Sequence, residues 1–562
     1  MSGREPMVGA VVTPYRSTQT AGRDGFASVL RAEWTKLRTV RAWAIGMAAA
    51  AAVTVLVGVL ASASGSQVRA EVPSGTAGTA GESGARTSPG PGDPPIGPGG
   101  EAVIDNFYFV HQSLAGDGVI TARVTSLTGV VAMRPPPVEP EEGGQGGGQA
   151  PAPEGEPTLE AAVQPWAKAG VLVKDGTRPG SAYAAVMTTG GHGVRLQDNY
   201  VHDTAGQPGA VSDAAPRWLR LTRSGDVLTG AESADGTTWT TVGTTTLAGL
   251  PATVEVGLFV ASPRYTQVET FPGGVAENDF LTMATATLDH VEVGGGWRAA
   301  DWRGQAMGDG DNVRIAADVR TGFREEQGTF TVSGNGNIAP ALGGKLGVYL
   351  DRSLSGTFAG LIVAIVLAAL FMTSEYRREL IRTTLTASTR RGQVLAAKAI
   401  VIGGATFVSA LVGAVAATAV GRRLTSSSGE FVYPVNTSTE IRVIVGTAAL
   451  LAIAAVLALA VGTVLRRSAG AVGAVLVLIV LPYILGVSSV LPDGPSLWLL
   501  RVTPAAAFAI QQRIPQYPQV DSYCPPAQGC FPLSPFAGLG VLVAYGAVAL
   551  ALAFVLLRRR DA

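Results

Sequence analysis

Cysteine, lysine, histidine and charge in general are scarce in this chain. Its 562 residues include 2 cysteines and 4 histidines, and only 15% are charged. Lysine is rare beside arginine, a matter of genomic composition. Basic and acidic residues balance at 42 each, and this neutrality argues against nucleic acid as a partner. No G-x-x-x-x-G-K-[ST] loop occurs; the nearest Gly344-Lys345 is followed by Leu346, so any nucleotide must be handled by another chain. An E-x-D-x-x-E acid set is also missing. Glu277-Asn278-Asp279 lacks the third acid, which argues against retaining glycosidase chemistry and leaves a membrane-bound hydrolase a weak alternative. The histidines are His111, His192, His202 and His290. With Asp198 and Asp203, His192 and His202 match no zinc spacing, and no metal is expected.

What is abundant is Gly (72), Pro (34) and long uncharged apolar runs, with a mean hydropathy of +0.29. That combination predicts a multidomain α + β protein of membrane spans, linkers and a separate folded region. Residues 1–25 lack periodicity and read as disordered. Over 26–41, Phe26, Val29, Leu30, Trp34 and Leu37 form one stripe, and Arg31, Glu33, Lys36 and Arg38 fill the other face. This predicts an interfacial helix with Trp34 at headgroup level. Residues 42–62 are long enough to cross a bilayer. Ala61-Ser62-Ala63 has the small residues of a signal cleavage site. However, about forty residues precede it, where a signal has a short basic region, which favours an uncleaved span.

Residues 63–100 are a Gly/Ser/Pro/Ala tether. The region 101–296 predicts an all-β sandwich. Its strands are expected at 102–110, 118–126, 169–173, 183–188, 217–222, 227–231, 237–242, 254–260 and 284–293, with a Pro/Glu/Gly loop at 135–157. A β-rich return segment, 297–353, has no assigned place. A second span follows at 354–373. Four more, 399–420, 443–465, 469–491 and 535–557, make up 399–557 together with an extracytoplasmic loop at 492–534. Within that loop, 496–512 is too short for a span and contains Arg501 and Pro504, so it reads as interfacial or re-entrant. Residues 558–562 form a basic tail.

Between the second and third spans lies SEYRRELIRTTLTASTRRGQVLAAK, residues 374–398, with Arg377, Arg378, Arg382, Arg390, Arg391 and Lys398. Basic residues flanking spans stay in the cytoplasm. The expected topology is therefore a six-helix bundle with both termini inside, and with the inserted sandwich outside. Only Arg422 and Arg423 fall on the wrong side, where they can snorkel. The 374–386 portion has the spacing of a short amphipathic helix, whose simplest role is a positive-inside anchor. Cys524 and Cys530 lie in one loop, CPPAQGC. Their spacing permits a small disulfide ring, two free thiols being the alternative.

Three stretches carry a resemblance: AEWTKLRTVRAW (32–43), the 374–398 segment, and LLRVTPAAAFAIQQ (499–512) followed by Cys524, Cys530 and the terminal LRRRDA. Together they resemble permease subunits of type-2 ABC exporters, in their actinobacterial form. The resemblance implies a transport subunit that is not itself an enzyme and binds no cofactor. A separate ABC ATP-binding subunit would hold ATP and Mg, and a second permease copy, identical or similar, would complete the pair in the plasma membrane. It further implies that Glu33, Trp34, Lys36, Arg38, Glu375, Tyr376, Arg377, Arg382, Arg390 and Arg391 couple the bundle to that ATPase. The β region resembles concanavalin-like jelly-roll domains on FYFVHQSLAGDGVITARV (107–124), WAKAGVLVKDG (166–176), SADGTTW (233–239), VGLFVAS (256–262) and ATLDHVEV (286–293). Trp166, Asp235 and Trp239 would then be ligand-facing candidates for an extracytoplasmic carbohydrate, core packing of Trp239 being the bland alternative. A membrane-anchored carbohydrate-binding or cell-wall-sensing protein is the rival function.

Overall fold

The structure is a computed structural model that describes residues 25–64, 94–133, 157–271, 274–308, 315–316, 319–342, 353–377, 391–427, 431–488, 490–520, 524–526 and 529–560. The expected disordered N-terminus, most of the tether and most of the 135–157 loop lie outside these residues. So does 378–390, the centre of the basic stretch.

Two antiparallel sheets stack face to face. One runs, edge to edge, through Thr240–Thr246, Val227–Ser233, Arg217–Ser224, Gly118–Met133, Thr282–Gly295, Thr329–Gly334 and Gly322–Glu326, with Thr158–Ala161 attached to Gly118–Met133. The other runs through Arg303–Ala306, Tyr108–Ala115, Thr253–Ala261, Lys168–Lys174, Tyr183–Thr189, Val194–Asp198 and His202–Ala205. The alternation that predicts strands also builds the core. Ile120, Ala122 and Val124 face Val171, Val173 and Val256 across the gap, all at 0% exposure. Sealing that face removes roughly 25 cal/mol of unfavourable hydration per Å² of apolar surface.

The second sheet is covered on its outer face as well. Phe109, Leu172, Tyr183, Met187 and Phe259 form a second buried layer with Val103, Phe107, Tyr200 and Ile338. Lys168–Lys174 is buried at every position, and a strand sealed on both faces reads as a near-continuous apolar run. The cover comes from the return segment. Val103–Asp105 pairs with Ile338–Pro340, while Arg303–Ala306 and Thr329–Gly334 extend the two sheets. The segment that had no assigned place thus completes the sandwich. Its strands are short and glycine-separated, too weak in periodicity to be placed before their partners are known.

Among the described residues, six helices are long and apolar enough to cross a membrane. They are Arg41–Ser64, Thr357–Arg377, Arg391–Ser427, Thr437–Leu465, Ser468–Val487 and Pro535–Arg560. The third and fourth begin eight and six residues before the apolar runs do, because helical geometry continues through polar residues that hydropathy discounts. Span one crosses span two closely: a Cβ on Gly356 or Gly360 would collide with the carbonyl or hydroxyl oxygen of Thr54. Small residues are what permit such an approach. Between spans five and six, Asp493–Val502 is helical and Pro504–Gln511 forms a 3-10 turn, with Pro504 to Ile510 buried throughout. A Cβ on Gly538 of the last span would strike the Ala506 carbonyl.

Candidate functional site

At one end of the bundle the amphipathic helix Phe26–Thr39 lies against the spans. The face it turns inward is centred on Glu33 and Leu37, with Leu30 partly buried beside them. Trp34 points away, 47% exposed. The expected stripe placed Trp34 with Leu30 and Leu37 and put Glu33 opposite. What turns the helix is a charge: Lys398 sits on the third span at 0% exposure, and a buried ammonium needs carboxylates.

Two reach it. Lys398 Nζ donates to Glu33 Oε2 at 2.8 Å and to Glu375 Oε1 at 2.6 Å. Lys36 Nζ adds bonds to Glu33 Oε1 at 2.8 Å and Glu375 Oε1 at 3.3 Å. Burial by itself would lower the Lys36 pKa, but the Glu33 bond and the Glu375 charge outweigh it and raise the value above that of a free lysine. The network has two cations and two anions on three chain segments: the amphipathic helix, the end of span two and the start of span three. Glu375 Oε2 is buried and accepts no hydrogen bond. Apolar rings close the site, since Lys398 Nζ lies 5.1 Å from the Phe371 ring centre and Trp43 packs edge-on against the same ring at 5.4 Å.

Other span ends gather here. Arg391 Nη1 donates to the Leu557 carbonyl at 3.0 Å, and Arg466 lies 5.2 Å from the Tyr376 ring centre. Arg466 closes the Thr437–Leu465 helix in a left-handed conformation. Of the residues expected to couple to an ATPase, the structure brings Glu33, Lys36, Glu375, Tyr376 and Arg391 to this end. Glu33 and Glu375 face into the bundle as the anions of the network, not outward. Trp34 and Arg38 are exposed. Arg382 and Arg390 lie outside the described residues, and Arg377 is described for its backbone only. Lys398, the centre of the network, was legible only as one more basic residue at the end of the loop.

The opposite end of the bundle carries the sandwich. Gln519 Nε2, in the loop before the last span, donates to the carbonyls of Tyr200 (3.2 Å) and Val201 (2.9 Å). Cys524 and Cys530 are joined by a disulfide in that loop, and Cys530 is buried with Ala102, Ala341, Tyr433 and Ile514. Inside the sandwich, Lys174 Nζ bonds Asp105 Oδ2 (2.9 Å), Ser181 O (3.0 Å) and Tyr200 Oη (3.0 Å), and the Gly180 amide donates to the same carboxylate oxygen.

Of the three ligand-facing candidates in the sandwich, Trp166 needs correction. Trp166 is 2% exposed and stacks on His192 at 4.0 Å, so its ring has no free face for a sugar. Asp235 accepts from the amides of Thr237 and Thr238 and from Ser233 Oγ. Those donors pull its carboxyl far below the usual range, and its work is to hold the turn. Trp239 donates to the Gly236 carbonyl and lies under the Arg220 guanidinium at 3.7 Å. His192, Asp198, His202 and Asp203 do not converge. His202 pairs with Asp198, and Asp203 with Arg195 and Gln197. Among the described residues no group of three or more potential ligands is placed to hold a metal.

Comparison with known proteins bears on the bundle. Residues 311–562 match the family described as ABC-2 family transporter protein. No curated protein matches the chain. Among solved structures, a functionally unknown protein from Saccharomyces cerevisiae is similar at 15% identity with a TM-score of 0.20, over 34% of this chain and 74% of its own. A scytalido-glutamic peptidase bound to a transition state analog inhibitor is similar at 10% identity and 0.24, over 41% of this chain and 98% of its own. At such TM-scores the likeness supports neither a shared fold nor a shared activity. The family match and the six apolar helices support a multi-pass membrane protein, the permease component of an ABC transporter, with an ABC ATP-binding partner implied.

Proposed function

We propose that this chain is the membrane subunit of an ABC exporter and moves an unidentified substrate across the plasma membrane on the power of a separate ATPase. In this reading the end holding Glu33, Lys36, Glu375 and Lys398 is cytoplasmic. Arg41 and Arg391 open their spans, Arg466 and Arg467 join spans four and five, and Arg558 and Arg559 close the last; alternate crossing puts all six at this end, and positive residues favour the cytoplasm. Both termini are then inside, the sandwich and its disulfide loop outside, and a second permease copy completes the transporter. ATP and Mg belong to the partner.

The observation that carries this reading is the four-membered charge network. An ATPase can move a bundle only through an element whose contacts differ between two states. A helix lying across the span ends and tied to two of them by buried ion pairs is such an element. A push on Phe26–Thr39, or on the chain between 377 and 391, reaches spans two and three together through Glu33, Glu375 and Lys398. Among the described residues of the sandwich, the burial of Trp166 and the turn bonds of Asp235 weigh against a carbohydrate receptor.

The test is recovery of nucleotide hydrolysis. A tagged full-length chain drawn from native membranes should bring down vanadate-sensitive ATPase activity. The double variant R390E/R391E, expressed at the same level, should lose most of it. Equal ATPase recovery from the variant, or a tag near residue 388 reachable from outside intact cells, would overturn the reading.

A further inference from the structure

Between the sandwich and the bundle lies a cavity of about 880 Å³. Its walls come from sequence-distant pieces: Leu342 from the return segment, Tyr433 and Arg442 at the head of span four, Arg513 and Ile514 after the 3-10 turn, and Phe531 beyond the disulfide. Two guanidiniums therefore share a mixed wall with Leu342, Ile514 and Phe531. Arg442 Nη2 donates to the Gln512 carbonyl at 2.6 Å, which pins the side chain beside Arg513. Its other terminal nitrogen, Nη1, is buried and donates to nothing. Glu101 is the one carboxylate among the lining residues. It folds back over its own turn, so close that a Cβ on Gly97 or Gly99 would collide with it. Glu101 Oε1 is buried without a hydrogen bond, whereas at Arg442 the orphaned guanidinium nitrogen is a standing demand for an acceptor.

Depth matters as much as charge. Arg442 lies on the second turn of the Thr437–Leu465 span, not out in the loops. Phe536, next to the lining residue Pro535, is 71% exposed at the start of the last span, so the cavity lies at the level where two spans begin. A ligand entering from that level meets the arginines with its head and Tyr433, Ile514 and Phe531 with its body.

We infer that this cavity binds an amphipathic anion, a phosphate or similar oxyanion head on an apolar body, with Arg442 as the recognition residue and Arg513 in the same wall. The guanidinium fork suits two oxygens of such a head, and burial strengthens each bond. The site requires the bundle to be in a membrane but no ATPase to be docked, so it can fail while the transport reading stands, and the reverse.

The test uses the full-length chain in nanodiscs of mixed phosphatidylglycerol and phosphatidylcholine, with retained lipid read by native mass spectrometry. Wild type should keep phosphatidylglycerol in preference to phosphatidylcholine. R442Q should weaken that retention about tenfold, the worth of one charge-assisted hydrogen-bonded contact, while R324Q on the sandwich surface leaves it unchanged. R513Q reads the same cavity should R442Q fold poorly. Displacement of phosphatidylglycerol by millimolar inorganic phosphate would support the oxyanion site and assign it to soluble anions. Equal retention of the two lipids by wild type, or undiminished retention in both arginine variants, would overturn it.

Discussion

Lys174 in the sandwich and Lys398 in the bundle are both wholly buried beside carboxylates, yet they are held in opposite ways. Lys174 has Asp105, the Ser181 carbonyl and the Tyr200 hydroxyl around it, and the anion it meets is also bonded by the Gly180 amide. Every partner belongs to the folded sandwich. Lys398 bridges two carboxylates from different helices, shares both with a half-exposed Lys36, and leaves Glu375 Oε2 unbonded. The first arrangement fixes one geometry. The second joins three separate chain segments. Each site keeps one buried carboxylate oxygen without a hydrogen bond, Asp105 Oδ1 and Glu375 Oε2, so the difference lies in what is joined. A buried ion pair is weak grounds for stability by itself, so the contrast is one of use: a lock in the sandwich and a joint in the bundle.

Removing the joint's centre should give the largest effect. In K398M, Glu33 and Glu375 stay buried side by side with only Lys36 between them. Breaking such a pair costs about 3–5 kcal/mol, seen as a drop in melting temperature of the detergent-purified chain. ATPase recovery should fall with it. The neutral triple variant E33Q/E375Q/K398M sharpens the comparison, because it removes the unpaired charge and should regain stability without regaining ATPase recovery. An unshifted melt for K398M would show that the network holds nothing.

Breaking the lock should be local. Asp105→Asn leaves Lys174 its bonds to Ser181 and Tyr200 but removes the carboxylate bonded to its buried ammonium, a cost of about 3–5 kcal/mol. The loss should appear as faster amide exchange in Lys168–Lys174 and Tyr183–Thr189, with ATPase recovery at the wild-type level. Equal loss of ATPase recovery in D105N would erase the distinction between the two regions.

How much of this was legible beforehand follows from what each pattern encodes. Apolar length marks spans regardless of partners, so all six helices stood out, and turn-bounded alternation marked most strands from Gly118–Met133 to Thr282–Gly295. Pairing is not encoded locally. The place of Ile338–Pro340 beside Val103–Asp105, more than two hundred residues away, was therefore invisible. The face of the Phe26–Thr39 helix was misread because Trp34 is more apolar than Glu33, while the bundle selects for charge at that point. One signal did exist. In a chain that uses arginine almost everywhere, five positions keep lysine, and four of them are described: Lys36, Lys168, Lys174 and Lys398. All four bond inward, to carboxylates or to a buried carbonyl. A compact ammonium with three donors fits such points better than a planar fork does, so rarity itself marked them.

Lys168 gives the smallest and sharpest test, because it has neither arrangement. Its Nζ donates to the Ile338 carbonyl at 2.6 Å, and the nearest anion, Asp203, is already committed to Arg195 and Gln197. Burial pushes its pKa down to about 7, against a partly offsetting pull from Asp203. The sign then runs opposite to that of a paired lysine. Above about pH 7 the folded ammonium releases its proton, while the unfolded chain keeps its own up to the ordinary lysine value of about 10.4. The unfolded state therefore binds more protons across that window, and stability rises with pH by at most about 1.4 kcal/mol per pH unit. Unfolding of the wild type between pH 7 and 9, compared with K168M under the same conditions, isolates this term from every other titration. The variant should lose the upward slope, and a slope unchanged by the substitution would mean that Lys168 keeps its proton inside the sandwich and is a second lock instead.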